Sequence, residues 1–263
     1  MAKEILTQLQ LREFFHLEFL RWFSRSVQAR FYALKGGSNM RFFFKSTRYS
    51  EDMDMDAVGI EIHMLKDAVM NILGSRNFQG GLRPFGIERA IPPDMTKAKQ
   101  TGTMQRFKVH LATNSGEELF TKIEFSRRGF RGNVAVQPVS DDILRAYKMP
   151  PLLIPHYDIT SAALKKIEAV ASRSVIQARD IFDLFILSSQ CGDIYVKNQN
   201  IPLEMLENAY EHISEVDFER FRDTVISYLS VDDQVTYDSA DVWDEVKLKA
   251  ANFIDALRKQ YEQ

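Results

Sequence analysis

Three aspartates alternate with other residues in the segment that begins at Asp52. If this segment is a strand, Asp52, Asp54 and Asp56 point to one face, because side chains alternate between the two faces of a strand. Like charges this close repel each other, and a divalent cation such as Mg²⁺ is the simplest compensation because it prefers oxygen ligands. A solvated strand end would carry the same acids, so this pattern alone allows both interpretations.

A glycine turn precedes the acids along the chain. Gly36 and Gly37 follow a short apolar run of strand type that ends at Leu34, and Ser38 can cap a helix that continues through Phe44. Glycine allows the backbone to approach a phosphate closely, and the first turn of a helix favours an anion. The order of strand, glycine turn, helix and acidic strand therefore predicts a phosphate site next to a metal site.

A further acid, Glu124, lies on the polar face of a predicted strand over residues 118–126. The two faces of this strand alternate along the chain, with Leu119, Thr121, Ile123 and Phe125 on one face and Phe120, Lys122, Glu124 and Ser126 on the other. Glu124 is a candidate third metal-binding carboxylate, since two metal ions can clamp the attacking and leaving oxygens of an in-line displacement. Plain solvent exposure of a polar face is the alternative.

The elements that must position these residues divide the chain into two parts. The first part is predicted to contain helices over 3–29 and 64–73 and strands over 31–34, 52–60, 104–112 and 118–126. After the segment Met149-Pro150-Pro151 the apolar spacing is helical, with helices near 159–172, 179–190, 203–213, 217–229 and 239–261. The prediction is an α+β domain over 1–150 and an all-helical domain over 151–263.

The composition narrows the function classes. The chain has 263 residues and a net charge of −2, so no global positive field draws it to nucleic acid or anionic lipid. The basic run Arg127-Arg128-Gly129-Phe130-Arg131 is either a local patch or a solvated loop. Cys191 is the single cysteine, which excludes an internal disulfide and fits a reducing cytoplasm. The sequence has no apolar run of about 18 residues and no signal-peptide core, so neither a membrane helix nor secretion is predicted.

The residues of the first part resemble a known protein family. The strings LKGGSNMR at 34–41 and RYSEDMD at 48–54 are similar to the GG[ST]xxR turn and the RxSxDxD strand of the AbiEii/AbiGii toxins, which are MenT-like nucleotidyltransferases of type IV toxin–antitoxin systems. The strand KIEFS at 122–126 resembles the family's KIEIS-type strand. The interval between Ser38 and Asp52 is longer than in some relatives, so no contact to a nucleotide base is carried over.

The helical part contains a second matching block. KIEA from Lys166, then Arg173, then RDIFDL resembles the family's KxxA…R…RDxxDL segment. Lys166 and Arg173 share one helix face by their i, i+7 spacing, and Asp180 and Asp183 are neighbours on the next helix. A salt-bridge set between two helices would have the same pattern, and Lys165 is a register alternative to Lys166.

The resemblance implies a polymerase-beta-like nucleotidyltransferase fold with a mixed sheet, and a helical domain that completes the active-site cleft. The metal ligands for Mg²⁺ or Mn²⁺ would be Asp52, Asp54 and Glu124. The nucleotide and its phosphates would be bound by Gly36, Gly37, Ser38, Arg48, Lys166 and Arg173. The catalytic set would be Asp52, Asp54, Lys166 and Asp180. Asp180 would act as a base or as an orienting partner, and Asp56 and Asp183 are weaker candidates.

The resemblance also implies a reaction and its partners. Family members are toxins of toxin–antitoxin or phage-defence pairs, some transfer a nucleotide from an NTP to tRNA, and an antitoxin encoded beside the toxin restrains them. Two other functions stay open, which are nucleotidylation of a protein acceptor and a binding module that keeps the fold without catalysis. The complete set of acids argues against the binding module, because lost catalysis would permit substitutions at those positions.

Overall fold

Two compact units make up the chain. The structure is a computed structural model, and it describes residues 6–96, 98, 100–191 and 201–259. Unit 1 comprises the residues up to Phe43 and the segment Tyr49–Tyr157. Unit 2 takes Phe44–Arg48 together with the chain from Asp158 onward. A short segment that precedes the acidic strand therefore belongs with the helices of the C-terminal half.

Unit 1 is an α+β structure, in agreement with the predicted fold class. Its strands are β1 (Tyr32–Lys35), β2 (Met53–Ala57), β3 (Ile87–Ile91), β4 (Met104–Thr113), β5 (Glu118–Ser126), β6 (Val134–Pro138) and β7 (Leu153–Tyr157). Its helices are α1 (Gln8–Ser26), α2 (Gly36–Phe43), α3 (Ile62–Gly74), α4 (Arg76–Leu82) and α5 (Asp141–Ala146). The strands form one mixed sheet in the order β3-β4-β5-β2-β1-β7-β6. Because β7 still pairs in this sheet, unit 1 extends past the change predicted at 150–151.

Helix α1 is shorter than the predicted helix over 3–29. The Thr7 hydroxyl oxygen accepts a hydrogen bond from the Gln10 N–H at 3.3 Å, and the Gln10 side chain accepts one from the Thr7 N–H at 2.8 Å. This reciprocal pair is a capping box, which starts the helix after Thr7. Val27 at the other end has an extended backbone and ends the helix. The predicted helical residues 3–5 lie outside the described part of the chain.

The sheet has one apolar and one polar face. Along β5, Thr121, Ile123 and Phe125 are buried while Lys122 and Glu124 are partly exposed, so the predicted alternation is confirmed. The buried side chains of the strands form one hydrophobic core with those of α1, α3 and α4. The polar face carries the acids of β2, and the strand order places β2 between β1 and β5.

Unit 2 is helical in its described part. Its helices are α6 (Ile159–Ser172), α7 (Ala178–Ser188), α8 (Leu203–Ser214), α9 (Phe218–Thr224), α10 (Val231–Tyr237) and α11 (Ala240–Arg258). Asp158 is the N-cap of α6, since its Oδ1 accepts a hydrogen bond from the Ser161 N–H at 2.8 Å. Trp243 of α11 is buried and stacks on Phe221 of α9, with ring centroids 4.2 Å apart.

The helices of unit 2 differ from the prediction at two places. The predicted helix over 217–229 is divided into α9 and the 3₁₀ turn Ile226–Tyr228, and α10 was not predicted. The predicted helical residues 260 and 261 lie outside the described residues. In the described parts of both units, no helix is long and apolar enough to cross a membrane.

Candidate active site

The glycine turn is built against the acidic strand. Because β1 is antiparallel to β2, Lys35 at the end of β1 stands opposite Asp54. Gly36 follows with a φ of +68°, in the left-handed region that favours glycine. A Cβ atom on Gly36 would lie 2.9 Å from Asp54 Oδ2. Only glycine therefore lets the turn and the Asp54 carboxylate lie this close together.

Ser38 holds the turn to the start of the acidic segment. Its buried hydroxyl donates a hydrogen bond to the backbone carbonyl of Asp52 at 3.2 Å, and the Ser50 hydroxyl donates to the same carbonyl at 2.7 Å. The predicted capping role of Ser38 was wrong, because α2 begins at Gly36 and contains Ser38 in its first turn. Gly37 lies in the same turn, where backbone N–H groups lack helical acceptors and suit a phosphate.

Asp52 is held by one lysine. The Lys122 backbone N–H donates to Asp52 Oδ1 at 2.9 Å, and the Lys122 ammonium donates to Oδ2 at 2.6 Å. The hydrogen bond to Asp52 raises the pKa of Lys122 above its ordinary value and outweighs a lowering by partial burial. The Asp52 and Lys122 side chains are 27% and 39% exposed, so water and other ligands can compete for this pair.

Asp54 and Glu124 are neighbours, since the register of the parallel strands β2 and β5 pairs the two residues. Glu124 forms an ion pair with Arg106 of β4, with 2.7 Å between Arg106 Nε and Glu124 Oε1. Carboxylate oxygens are the ligands that Mg²⁺ and Mn²⁺ prefer, so the donor chemistry fits a divalent cation. Among the described residues, however, no three Asp, Glu, His or Cys side chains are gathered into a metal cluster. Asp52 and Glu124 pair with basic side chains instead.

Asp56 has different surroundings from the two preceding aspartates. Its side chain is buried and forms an ion pair with Lys35. The Tyr157 hydroxyl donates a hydrogen bond to Asp56 Oδ2 at 2.5 Å, and burial together with this bond raises the pKa of Tyr157. A buried carboxylate that pairs with protein side chains stabilises the sheet, so Asp56 is the least suited of the three aspartates to bind a ligand.

A second group of charged side chains lies within unit 2. Lys166 Nζ of α6 lies 2.8 Å from Asp180 Oδ1 and 2.6 Å from Asp183 Oδ2, both on α7. Arg173 Nη1 lies 3.0 Å from Asp180 Oδ2, and Arg48 Nη2 lies 3.2 Å from Asp183 Oδ2. We call these five residues the charge cluster. It unites three basic side chains with two acidic ones.

The charge cluster keeps its central pair ionised. Burial alone would raise the pKa of Asp180, but Lys166 and Arg173 outweigh burial and lower it. Burial alone would lower the pKa of Lys166, but Asp180 and Asp183 outweigh burial and raise it. A carboxylate with a lowered pKa is a weak base, which favours an orienting role for Asp180 over a proton-accepting role.

The predicted site residues form one group in each unit. Unit 1 brings together the turn and the acids, which are Gly36, Gly37, Ser38, Asp52, Asp54 and Glu124. Unit 2 brings together Arg48, Lys166, Arg173, Asp180 and Asp183, and Lys166 is the register alternative whose ammonium lies in the cluster. Sequence reasoning missed the roles of Lys35, Arg106 and Lys122 as partners of the acids, although the alternation that found Glu124 also places Lys122 on its face.

Two other sequence features lie outside both groups. Cys191 is buried, and burial, with a smaller contribution from Asp158, raises the pKa of its thiol to about 11. It is therefore a poor nucleophile near neutral pH. Arg127, the first residue of the basic run, donates to the Gln105 side chain at 3.1 Å and to the Ile60 carbonyl at 2.6 Å, so this arginine has a structural role.

The glycine turn packed on an acidic strand, with a further carboxylate on the neighbouring parallel strand, is the arrangement that the motifs predicted for a nucleotidyltransferase. The family profile described as nucleotidyl transferase AbiEii toxin, type IV TA system, matches residues 18–263. The chain therefore belongs to the AbiEii family, and the recognition based on its motifs is confirmed.

Solved structures have the same fold. JHP933 from Helicobacter pylori is 17% identical to this chain, with a TM-score of 0.57 over 98% of this chain and 95% of that one. MenT4, a nucleotidyltransferase toxin from Mycobacterium tuberculosis H37Rv, is also 17% identical, with a TM-score of 0.62 over 95% of this chain and 84% of that one. No curated protein matches this chain. At these identities the similarity establishes the fold, and the predicted nucleotidyltransferase fold is confirmed.

Proposed function

We propose that this nucleotidyltransferase transfers a nucleotide from an NTP to an acceptor hydroxyl of tRNA, as the toxin of a toxin–antitoxin or phage-defence pair. The hydroxyl oxygen would bond to the α-phosphorus while the bond to the β-phosphate breaks, so that pyrophosphate and the hydroxyl proton are released. The observation that carries the proposal is the close approach of the turn to the acidic strand, where a Cβ on Gly36 would lie 2.9 Å from Asp54 Oδ2. A phosphate bound at the turn would thus lie beside Asp54 and its neighbour Glu124. Carboxylates at this place would hold the cations that stabilise the attacking and leaving oxygens of an in-line displacement at phosphorus.

Mg²⁺ or Mn²⁺ would be held by Asp54 and Glu124, joined by Asp52 once Lys122 releases it. When bound, the cation would neutralise phosphate charge. The Lys122 ammonium would then pair with a phosphate oxygen. The exchange of Asp52 for phosphate at Lys122 costs little free energy, because an ion pair as exposed as Asp52–Lys122 contributes about 1 kcal/mol or less to stability.

The residues of the chain would mainly position the reactants. The backbone N–H groups of the first turn of α2, including that of Gly37, would bind the triphosphate. In unit 2, Lys166 and Arg173 would bind phosphate, because the charge cluster has one more basic side chain than acidic ones. Asp180 would orient Lys166, and the buried Arg48 would hold Asp183 in place. Catalysis would then come from positioning and electrostatic stabilisation.

The family relationship supports the proposed partners. A type IV toxin is restrained by an antitoxin protein, and we place both proteins in the cytoplasm, where the tRNA acceptor is found. The single buried thiol is compatible with a reducing compartment.

Labelling in a cell lysate tests the proposal. The chain is incubated with radiolabelled NTPs, Mg²⁺ and lysate, and the product is treated with nuclease or with protease. We expect a label that nuclease removes and protease does not, and no label with a metal chelator. Asp54→Ala should lower labelling by about 100- to 1000-fold with an unchanged melting temperature. Asp67→Ala is the matched control, since Asp67 is 59% exposed on α3.

Other outcomes of this experiment point to other functions. A label that protease removes would identify a protein acceptor and contradict the tRNA assignment. Full activity of Asp54→Ala would contradict the site assignment. If no polymer is labelled and no NTP raises the melting temperature in the presence of Mg²⁺, the chain is a binding module with this fold.

A further inference from the structure

A cavity of about 480 Å³ lies on the polar face of the unit 1 sheet. It is lined by Arg106, Lys108 and His110 of β4, by Phe120 of β5, and by Ile91 at the end of β3 together with residues that follow it. The β4–β5 register places Arg106 opposite Glu124 and Lys108 opposite Lys122. The cavity therefore continues the row of charged side chains that contains the acids. We call it the β4 cavity.

An aromatic ring forms part of its wall. Phe120 is 57% exposed, and its ring stacks on His110 with centroids 4.8 Å apart and planes 20° apart. An exposed ring held in a fixed plane is a platform for a nucleobase. His110 Nε2 is buried and has no hydrogen-bond partner in the described part of the chain, and Glu118 Oε2 lies 3.7 Å from it, beyond hydrogen-bond distance. A buried polar atom without a partner is costly, so a ligand atom that bonds to it would be favoured.

The cavity is also lined by a lysine that has no acidic partner among the described residues. Lys108 stands directly opposite Lys122, and like charges in register repel each other. Lys122 pairs with Asp52, whereas Lys108 makes no ion pair or side-chain hydrogen bond with a residue that the structure describes. The acid of the lining, Asp94, accepts hydrogen bonds from the Thr96 N–H and hydroxyl at 3.0 and 2.7 Å. A phosphate at Lys108 would relieve the repulsion between the lysines.

The strand order indicates which nucleotide the cavity suits. The acids of β2 lie between β1, which leads into the glycine turn, and β5, beyond which β4 and the cavity lie. The turn is the proposed site of the NTP, so the β4 cavity is on the opposite side of the acids. In-line displacement places the attacking and leaving oxygens on opposite sides of phosphorus. The cavity therefore suits the acceptor.

A second cavity favours a polymer over a mononucleotide. It has a volume of about 460 Å³ and is lined by Arg76, Arg83 and Arg89, and Pro92 lines both cavities. None of the three arginines pairs with an acid among the residues that the structure describes. Several unpaired cations beside one another suit successive phosphates of a nucleic-acid strand.

We propose that the β4 cavity binds the terminal nucleotide of a single-stranded RNA acceptor, and that the arginine-lined cavity binds phosphates of the preceding nucleotides. The terminal base stacks on Phe120, and its phosphate lies at Lys108. This inference rests on the proposed function, since it names the strand that presents the acceptor hydroxyl.

Binding in an inactive background tests the inference separately from catalysis. Affinities for a labelled single-stranded RNA oligonucleotide and for NTPs are measured with the full chain carrying Asp54→Ala. Adding Phe120→Ala should weaken RNA binding by about 5- to 100-fold and leave NTP binding unchanged, whereas Phe120→Trp should retain RNA binding. Lys108→Glu should weaken RNA binding and lower its salt dependence by about one phosphate contact. Lys66→Glu on α3 is the charge-matched control and should bind RNA normally.

The outcomes separate this inference from the proposed function. RNA affinity that is unaffected by Phe120→Ala and Lys108→Glu would overturn the inference, yet Asp54-dependent labelling of RNA in lysate would still support the proposed function. A loss of NTP binding with unchanged RNA binding would make the cavity a donor site and also overturn the inference. Arg83 lines the second cavity, and Arg83→Glu should weaken the binding of a longer RNA but not that of a dinucleotide. This result would support binding of the preceding phosphates in the arginine-lined cavity.

Discussion

Asp52 in unit 1 and Asp183 in unit 2 each lie 2.6 Å from the ammonium of a lysine, yet their surroundings differ. The Asp52 side chain is 27% exposed and its partner Lys122 is 39% exposed. The Asp183 side chain is 0% exposed, and its partner Lys166 is 13% exposed. The same pair of groups is therefore exposed to solvent on the sheet face and buried in the charge cluster.

This difference in burial distinguishes acids that can exchange their basic partner for a ligand from acids that fix the position of neighbouring side chains. An exposed ion pair contributes about 0–1 kcal/mol, so Lys122 can leave Asp52 for another anion at little cost. Removing one partner from a buried pair costs about 3–5 kcal/mol, because a charge is left in the interior without compensation. Ligand exchange is therefore expected at the sheet face, while the cluster maintains the position of Lys166.

The largest expected effect on stability follows from removal of the buried acid, Asp183. Asp183→Ala should lower the free energy of unfolding of unit 2 by about 3–5 kcal/mol, because Lys166 and Arg48 lose a buried partner. Urea unfolding followed by Trp243 fluorescence in a Trp22→Phe background measures it, since the chain has only these 2 tryptophans.

Asp244→Ala is the matched control for this prediction. Asp244 pairs with Lys247 on α11 but is 69% exposed, so its removal should change stability by about 0.5 kcal/mol or less. Equal effects of Asp183→Ala and Asp244→Ala would show that burial does not distinguish the two pairs.

The next effect concerns the pH dependence of stability, because unit 1 buries a neutral histidine, whereas the charge cluster of unit 2 is made of ions. Burial lowers the pKa of His16 to about 4, although Asp52 opposes the shift. The unfolded chain thus binds more protons than the folded one between about pH 6.5 and 4, and unit 1 should lose about 3 kcal/mol over this window as the pH falls. The pKa of Asp180 is lowered from its ordinary value of 3.8, so this carboxylate stabilises unit 2 at every pH above 3.8. Its contribution is lost only when the pH falls below that value.

Trp22 fluorescence in a Trp243→Phe background reports the pH effect on unit 1. His16 Nε2 hydrogen-bonds with Thr121 Oγ1 at 2.7 Å, and His16→Gln can keep a bond to Thr121 without titrating. This variant should show a flatter stability profile between pH 6.5 and 4. An equally steep profile would exclude His16 as the cause.

The smallest expected effect on stability comes from breaking the exposed pair. Lys122→Met should lower the free energy of unfolding by about 1 kcal/mol or less. The same change releases Asp52, so Mn²⁺ should bind roughly three- to tenfold more tightly in calorimetry without nucleotide, as a gain of about 1 kcal/mol implies. Lys108→Met changes the neighbouring lysine, which has no acidic partner in the described structure, and should leave Mn²⁺ affinity unaltered. Weaker Mn²⁺ binding by Lys122→Met would contradict the exchange of Lys122 for a metal.

The features predicted correctly are those with a local pattern. Strict alternation over 118–126 predicted β5 with the right bounds, since a half-buried strand needs one apolar face. The motif around Gly36 and Asp54 led to the family, which the profile match confirmed. Elements without an apolar pattern were missed. No residue of α10 is buried, and β6 is mostly exposed, so neither has the periodicity that reveals an element.

The sequence by itself determined the family, the α+β fold class with a helical C-terminal region, and the acids as candidates for the site. It could do so because glycine turns, strand alternation and helical spacing are properties of neighbouring residues. The tertiary structure decided which basic side chain each acid meets. Glu124 lies beside Asp54 only because two distant strands pair in parallel with one register, and a shift of one residue would turn Glu124 to the opposite face. Burial, which makes Asp183 structural and Asp52 exchangeable, likewise exists only after the chain has folded.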